Sequence, residues 1–319
     1  MCGRINVLIE RGGFLNKIQL GKSKLEVSDI ALGCMRMNTL SKKEAANVIH
    51  NALELGIDFF DHADIYGGGA SEEVFSDAIE MTPRVRETMV LQTKVGIRKG
   101  SFDFSKKHIL ESVDGSLERL KTDYVDTLLL HRPDALVEPE EVAEAFTELE
   151  KSGKVRHFGV SNQNPMQIEL LKKYVEQDLI ANQLQFSIMH TGMIDAGINV
   201  NMQHDPSIDK DGSILDYSRL NDMTIQAWSP FHYGLFEGIF IDNDKFPELN
   251  TKLKEIADKY NVDNATIAVA WILRHPAKIQ TIVGTMTPDR LTNIARASSI
   301  KLTREEWYEI YLAAGNKLP

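Results

Sequence analysis

Along this chain, short apolar runs rich in β-branched residues alternate with stretches whose apolar positions recur every three or four residues. The runs predict eight strands, over residues 29–33, 58–61, 89–94, 124–131, 155–160, 181–185, 224–228 and 281–284. Helical stretches separate most of them. In SKKEAANVIHNALELG, Ser41 has Glu44 three positions on, the pattern of a capping box, and the helix is expected to stop at Gly56. Leu110, Val113, Leu117 and Leu120 trace one helix face, and Val142, Phe146 and Leu149 trace another. Asn164-Pro165 and Thr287-Pro288 each read as an N-cap followed by proline at the first helical position. Ahead of this rhythm, residues 17–27 (KIQLGKSKLEV) form two short alternating runs about Gly21-Lys22-Ser23, which predicts a β-hairpin. Residues 1–16 share neither pattern and are expected to be a flexible extension.

Strands that alternate with helices imply parallel strands and right-handed crossovers. Eight such units predict an α/β fold, a (β/α)8 TIM barrel, a fold that typically needs about 250 residues. A single domain over residues 17–319 accommodates it. A doubly wound open sheet is the competing fold. Against it, the first strand runs into LGCMRM rather than into G-x-G-x-x-G opening a helix. Residues 186–212 and 229–246 depart furthest from the rhythm, and both follow strands. In a barrel they become long loops over the C-terminal rim, where binding residues gather.

Composition narrows the class. Hydrophobic residues make up 43% of the 319 and charged residues 26%, the profile of a soluble globular protein. With 36 basic and 46 acidic residues the net charge is −10, and no basic stripe stands out, so no nucleic-acid partner is expected. The longest apolar run, Ala265 to Leu273, falls far short of the ~20 residues that span a bilayer, so no membrane partner is expected either. The opening MCGRINVLIERGG lacks the apolar core of a signal peptide. Cys2 and Cys34 alone cannot build a disulfide framework. Together these features predict a protein of the reducing cytoplasm.

Candidate chemistry sits at the strand ends, which converge on one rim in a barrel. Residues 61–68, DHADIYGG, raise two alternatives: metal ligands, or part of a proton relay. The metal reading would gather His62, Asp64, His131 and Asp134, and Lys94 lies on the rim between them. The relay reading uses Asp61, Tyr66, Lys94 and His131. Tyrosine is a poor acid at its reference pKa of about 10. An ammonium beside it favours the phenolate, and Lys94 with Asp61 as its ion pair would supply one. His131 would hydrogen-bond a substrate oxygen or help pass the proton. The result is a proton donor aimed at a carbonyl. Those four residues include no free nucleophile, so a hydride-carrying cofactor is implied. The first strand ends Gly33-Cys34-Met35 rather than in the H-x-H of barrel metallohydrolases, so no metal is expected. Gly67-Gly68-Gly69 reads as a turn that lets Tyr66 face inward. Trp228 offers a face for a nicotinamide ring, and Asn162 and Gln183 carry amides for its carboxamide. Arg290, in the first turn after Thr287-Pro288, would meet a phosphate at a helix N-terminus.

At this point the chain resembles the aldo-keto reductase superfamily, over nearly everything from residue 17 to the end. DHADIYGGG, LQTKVGI, LLLHRPD, GKVRHFGVSN and IVGTMTPDRLTN occur in the family's order. Within it, DHADIYGG, HRPD and KVRHFGVSN are most similar to the bacterial YdhF-like branch of predicted oxidoreductases. The resemblance implies an NADPH-dependent reductase of aldehydes or ketones, with Tyr66 as general acid, Lys94 and Asp61 as its tuning pair, and His131 orienting the substrate. It implies that Ser161, Asn162 and Gln183 hold the nicotinamide amide and that Trp228, where many members have tyrosine, stacks on the ring. It places Ser229, Phe231 and Leu235 along the pyrophosphate, and Gly284, Thr285, Arg290 and Asn293 about the adenosine end. Many NADPH-specific members carry lysine where this chain has Gly284, which leaves NADH possible. Met35, Arg132, Met189, Phe231 and Tyr233 would face a small-molecule carbonyl substrate. A nicotinamide-binding sensor or regulatory subunit without efficient turnover is the alternative from another functional class. A monomer or weak oligomer is expected.

Overall fold

All eight predicted strands form, each within a residue or two of its expected bounds, and they close on themselves. The computed structural model describes residues 15–235 and 237–319. The predicted hairpin is β1 (Lys17–Gln19) paired antiparallel with β2 (Glu26–Ser28). The barrel strands are β3 (Ile30–Gly33), β4 (Phe59–Asp61), β5 (Val90–Val95), β8 (Val125–Leu130), β9 (Val155–Ser161), β10 (Leu179–Gln185), β11 (Thr224–Trp228) and β12 (Gln280–Val283). Between β5 and β8 lies a small hairpin, β6 (Ile97–Arg98) with β7 (Ser101–Phe102). The barrel order is β10-β11-β12-β3-β4-β5-β8-β9, every neighbouring pair parallel. This is the (β/α)8 barrel.

Helices fill the crossovers: α1 (Lys42–Leu55) after β3, α2 (Ala70–Ala78) and α3 (Pro83–Arg86) after β4, α4 (Lys106–Leu120) after the small hairpin, α5 (Pro139–Lys151) after β8 and α6 (Pro165–Lys172) after β9. Then come α7 (Gly192–Ile198) and α8 (Ile214–Leu220) after β10, α9 (Pro247–Tyr260) and α10 (Asn264–Leu273) after β11, and α11 (Pro288–Ala295) and α12 (Arg304–Ala313) after β12. The predicted caps form. Ser41 and Glu44 make a reciprocal capping box, and Gly56 ends α1 in the left-handed region. Asn164 caps α6 ahead of Pro165. Thr287 precedes Pro288 at the start of α11, but its side chain makes no cap bond. The run from Ala265 to Leu273 is the buried α10, and no described helix is long and apolar enough to cross a membrane.

Strand alternation sorts the core into two bodies. One face of each strand, including Ile30, Leu32, Phe60, Leu91, Leu128, Leu130, Phe158, Val160, Ile225 and Val283, packs beneath the helices in the large outer cluster. The other face points into the lumen. There Ala31, Phe59, Val90, Leu129, Ala181 and Ile282 join Leu20 and Val27 of the hairpin in a separate buried cluster. The hairpin therefore plugs the N-terminal mouth and shuts water out from below. Its turn is anchored by the Gly21 amide, which donates to Thr224 Oγ1 at 2.7 Å. Leu15 is buried, and the Asn16 amide donates to Ser298 Oγ at 2.7 Å. Of the expected extension over residues 1–16, residues 1–14 lie outside the described residues.

The loops after β10 and β11 run over the opposite, C-terminal mouth. The first holds α7 and a 3-10 turn at Asp205–Ser207. The second is held by a bridge between His232 and Ile239. One end of the barrel is thus sealed with apolar side chains and the other is left to polar loops.

The plug hinges on Gly21. Its φ is +54°, and a Cβ there would lie 2.3 Å from the carbonyl oxygen of Ile180. Gly21→Ala should lower unfolding free energy by about 1–3 kcal/mol, from backbone strain and a displaced turn. Urea denaturation reads this, and an unchanged midpoint would show that the hairpin does not seat against β10.

Candidate active site

The expected quartet is placed by the ends of three strands, β4, β5 and β8. Asp61 ends β4, and Lys94 is the fifth residue of β5, on its lumen face. His131 follows β8, its amide donating to the Val95 carbonyl at 2.9 Å. Tyr66 opens a 3-10 turn, Tyr66–Gly69, in which Gly67 and Gly68 have φ of 60° and 66°. A Cβ on Gly67 would come within 2.7 Å of the Asn38 side chain. The two glycines thus allow the tight reversal that turns the phenol inward.

The structure brings the four together around Lys94. Its ammonium lies 2.8 Å from the Asp61 carboxylate, 2.8 Å from the His62 carbonyl and 3.1 Å from the Tyr66 hydroxyl. Those contacts use all three ammonium donors. The ion pair is closed to solvent, with side-chain exposures of 0% for Lys94 and 3% for Asp61. The Tyr66 and His131 rings meet edge to face, 5.9 Å between centroids at 81°.

Beneath the pair lies a polar layer of which the sequence pointed only to Gln183, and to that for another role. Asp61 Oδ1 accepts from the Gln92 amide at 2.6 Å and from the Gln183 amide at 3.0 Å. Both amides also donate to Gln226 Oε1, at 2.9 and 3.2 Å. Gln226 in turn donates to Gln280 Oε1 at 2.8 Å, and Gln280 donates to the Ser28 carbonyl at 2.8 Å. All four glutamines are buried. The signal was present: Gln92 stands two residues before Lys94 and Gln226 two before Trp228, so each shares the lumen face of its strand.

Burial decides the protonation states. It lowers the Lys94 ammonium, but Asp61 and then Tyr66 outweigh it, and the pKa stands above the ordinary lysine value. Burial raises the Tyr66 phenol, Lys94 opposes it and Asp61 adds to it, with a net upward shift. The expected pull of Lys94 on the phenol is there, but desolvation exceeds it, so Tyr66 holds its proton at neutral pH. Burial, Lys94 and Arg132 push the His131 imidazole well below 6.5, which leaves it neutral. Cys34 lies buried beside the pair, and burial together with Asp61 pushes its thiol up.

The remaining expected residues fall into three groups. Ser161, Asn162, Gln183 and Trp228 form one connected ledge. The Trp228 indole N–H donates to Asn162 Oδ1 at 3.2 Å, Asn162 donates to Ser161 Oγ at 2.7 Å, and Ser161 donates to the Gln183 carbonyl at 2.9 Å. Asn162 and Ser229 adopt left-handed φ of 56° and 53°, which turns the chain sharply at the ends of β9 and β11. Phe231 and Tyr233 are half-buried and Leu235 is exposed in the loop after β11. At the end of β12, the Gly284 carbonyl accepts from Arg36, and Thr285 Oγ1 accepts from the Thr287 amide at 3.3 Å. Arg290 and Asn293 are exposed on α11. Met35 is exposed at the rim, and Arg132 and Met189 are half-buried there.

The metal-reading residues do not converge. His62 is buried with neither ring nitrogen hydrogen-bonded, edge-on to Phe75 at 4.5 Å. Burial, then Lys94, pushes its pKa down to about 3. Asp134 accepts the Phe104 and Leu136 amides at 2.9 and 2.8 Å. Burial, then Glu72, pushes Asp64 up to about 7. Among the described residues, no three His, Cys, Asp or Glu side chains are grouped so as to hold a metal ion.

Known proteins match the chain over most of its length. Residues 29–313 match the model of the Aldo/keto reductase family. The chain is 33% identical over 311 residues to Oxidoreductase YdhF of Escherichia coli, covering 94% of this chain and 98% of that one. It is 34% identical over 308 residues to a 6-dehydroglucose reductase of Agrobacterium fabrum, covering 92% and 96%. Among solved structures, it matches a thermostable aldo-keto reductase, Tm1743 in complex with the inhibitor epalrestat, with a TM-score of 0.76 and 25% identity over 94% of this chain and 100% of that one.

Two outcomes test the electrostatics. Lys94→Met leaves Asp61 buried without its cation and should cost about 3–5 kcal/mol, while the double variant with Asp61→Asn should recover part of that. Urea denaturation compares them, and a single variant no weaker than the double would refute the buried pair. The second outcome concerns His62, whose folded pKa of about 3 lies below its ordinary 6.5. Its stabilising contribution is present above pH 6.5 and is lost as pH falls towards 3, by up to about 1.4 kcal/mol per unit. Asp64 runs oppositely: its folded value of about 7 exceeds 3.8, so its contribution is present at acid pH and is lost as pH rises through that window. His62→Leu should therefore gain on the wild type as pH drops from 6.5 to 4, and parallel midpoints across that range would contradict a neutral buried imidazole.

Proposed function

The chain belongs to the aldo/keto reductase family, and from that premise we propose that it is an NADPH-dependent reductase of aldehydes or ketones with Tyr66 as the proton donor. The observation that carries this reading is the ammonium of Lys94 lying 3.1 Å from the Tyr66 hydroxyl, with Asp61 and His131 beside them. A phenol that keeps its proton at neutral pH is the required state of a general acid.

The residues assign themselves as follows. The Tyr66 O–H proton passes to the carbonyl oxygen as negative charge grows there. The phenolate left behind stays beside the Lys94 ammonium, which Asp61 keeps charged inside the barrel. Neutral His131 offers one N–H to the same oxygen and fixes the direction from which it approaches. The hydride for the carbonyl carbon is the contribution of the bound nicotinamide. The donor set suits that group. Asn162 presents its amide for the carboxamide, with the Ser161 hydroxyl and Gln183 side chain buried directly behind it, and half-exposed Trp228 presents a ring face. Ser229, Phe231 and Leu235 would follow the pyrophosphate, and Gly284, Thr285, Arg290 and Asn293 the adenosine end. Arg290 favours a 2′-phosphate and hence NADPH, with NADH as the weaker ligand. Met35, Arg132, Met189, Phe231 and Tyr233 would border a small-molecule carbonyl.

Loss of cofactor absorbance in the presence of a panel of aldehydes measures turnover. Tyr66→Phe should lower kcat by about 100- to 10,000-fold, the usual worth of general acid catalysis. NADPH that binds but is consumed with no carbonyl would favour the sensor reading. With Tyr66 protonated and His131 neutral through this range, kcat should stay level from pH 6.5 to 9. A titration step centred near pH 6.5 would show that His131 or another group carries the catalytic proton.

A further inference from the structure

We propose that the substrate carries a carboxylate and that Arg132 binds it, a statement that rests on the reductase reading above and deepens it. Arg132 follows His131 at the end of β8, on the rim. Its guanidinium carbon lies 5.5 Å from the centre of the Trp228 ring. Its charge acts on His131, and it interacts with Tyr66. The guanidinium thus stands against the Trp228 ring and next in sequence to His131, on the rim where a carbonyl would be reduced.

What singles Arg132 out is the lack of an acceptor. It is half-buried, yet it makes no hydrogen bond or ion pair with any described residue. Other arginines that leave solvent are satisfied: Arg86 pairs with Asp126, Arg119 with Glu72, and Arg274 donates to the Leu302 carbonyl. The nearest carboxylate in sequence, Asp134, is committed to two backbone amides. A guanidinium presents five donors in a planar fork, and stripping it of water without an acceptor is costly.

Charge balance points the same way. Lys94 is cancelled by Asp61, and His131 is neutral. Arg132 is therefore the uncompensated charge beside the proton donor. The cofactor's phosphates are assigned elsewhere on the rim: the adenosine-end residues follow β12, directly across the barrel from β8, and the pyrophosphate residues follow β11, three strands from it. The acceptor left is on the substrate. A carboxylate fits the fork through two parallel hydrogen bonds and neutralises the charge. Hydroxyl groups of an uncharged sugar would meet the donors without cancelling the charge.

The test uses matched acids and esters: 4-carboxybenzaldehyde against methyl 4-formylbenzoate, and succinic semialdehyde against methyl 4-oxobutanoate. Wild type should favour the acid in at least one pair by about tenfold in kcat/KM, the worth of a charged hydrogen bond. Arg132→Gln should erase that ratio, chiefly through KM, and Arg132→Lys should keep part of it. An ester preferred in both pairs, or a ratio that survives Arg132→Gln, overturns the proposal. Tryptophan fluorescence titration with 4-carboxybenzaldehyde needs no turnover. Binding that weakens about tenfold in Arg132→Gln without cofactor consumption by any of the four carbonyls would uphold the carboxylate site and reject the reductase reading. Brisk reduction of esters and acids alike would do the reverse.

Discussion

A lysine held charged in the lumen of a closed barrel is the constraint on which the rest depends. Burial alone pulls the Lys94 pKa down, against the charged form. Asp61 and two further acceptors keep it an ammonium with every donor satisfied. Removing any acceptor leaves a buried polar group unmet, which is the costly direction of error inside a protein. The pair is also held from below. Gln92 and Gln183 both donate to Asp61, and Gln226 and Gln280 continue the chain of bonds to the backbone of Ser28 near the hairpin. The carboxylate that fixes the ammonium is thus tied, through buried amides, to the part of the fold that seals the barrel.

The two ends of the lumen play different parts. At the N-terminal end, Phe59, Leu129 and Ile282 meet Leu20 and Val27 in apolar contact. Two residues further along the same strand faces, Phe59 gives way to Asp61 and Leu129 to His131. Because side chains alternate along a strand, a slip of one residue in any pairing would exchange lumen and outer faces and dismantle both layers at once. The parallel register that places Asp61 beside Gln92, and Gln226 between Gln183 and Gln280, is therefore as much a part of the site as the charged groups themselves.

Much of this was legible in the residues alone. The strand periodicity located all eight barrel strands, and Ser41, Glu44, Gly56 and Asn164 marked helix ends by their hydrogen-bonding chemistry. Asp61, Tyr66, Lys94 and His131 stood out because charged or polar groups at the ends of apolar strands need partners, and the barrel supplies them from neighbouring strands. Gln92, Gln226 and Gln280 were overlooked because a polar residue inside a strand reads equally as a solvated face until closure shows it to be interior. The protonation of Tyr66 was also out of reach, since the balance between desolvation and the Lys94 charge depends on how deeply the hydroxyl is set. Arg132 was legible as a rim residue. Its lack of an acceptor became visible only when Asp134 proved to be bound to the backbone.

The most direct test is a titration of the phenol itself by NMR of the protein labelled at tyrosine Cζ, with the Tyr66 signal assigned by its loss in Tyr66→Phe. The account predicts a resonance that remains that of a neutral phenol from pH 6 to above 10, because burial outweighs the neighbouring ammonium. A signal that moves to the phenolate position near neutral pH would show that Lys94 dominates the site, and would contradict the assignment of Tyr66 as a protonated acid held beside a buried ion pair.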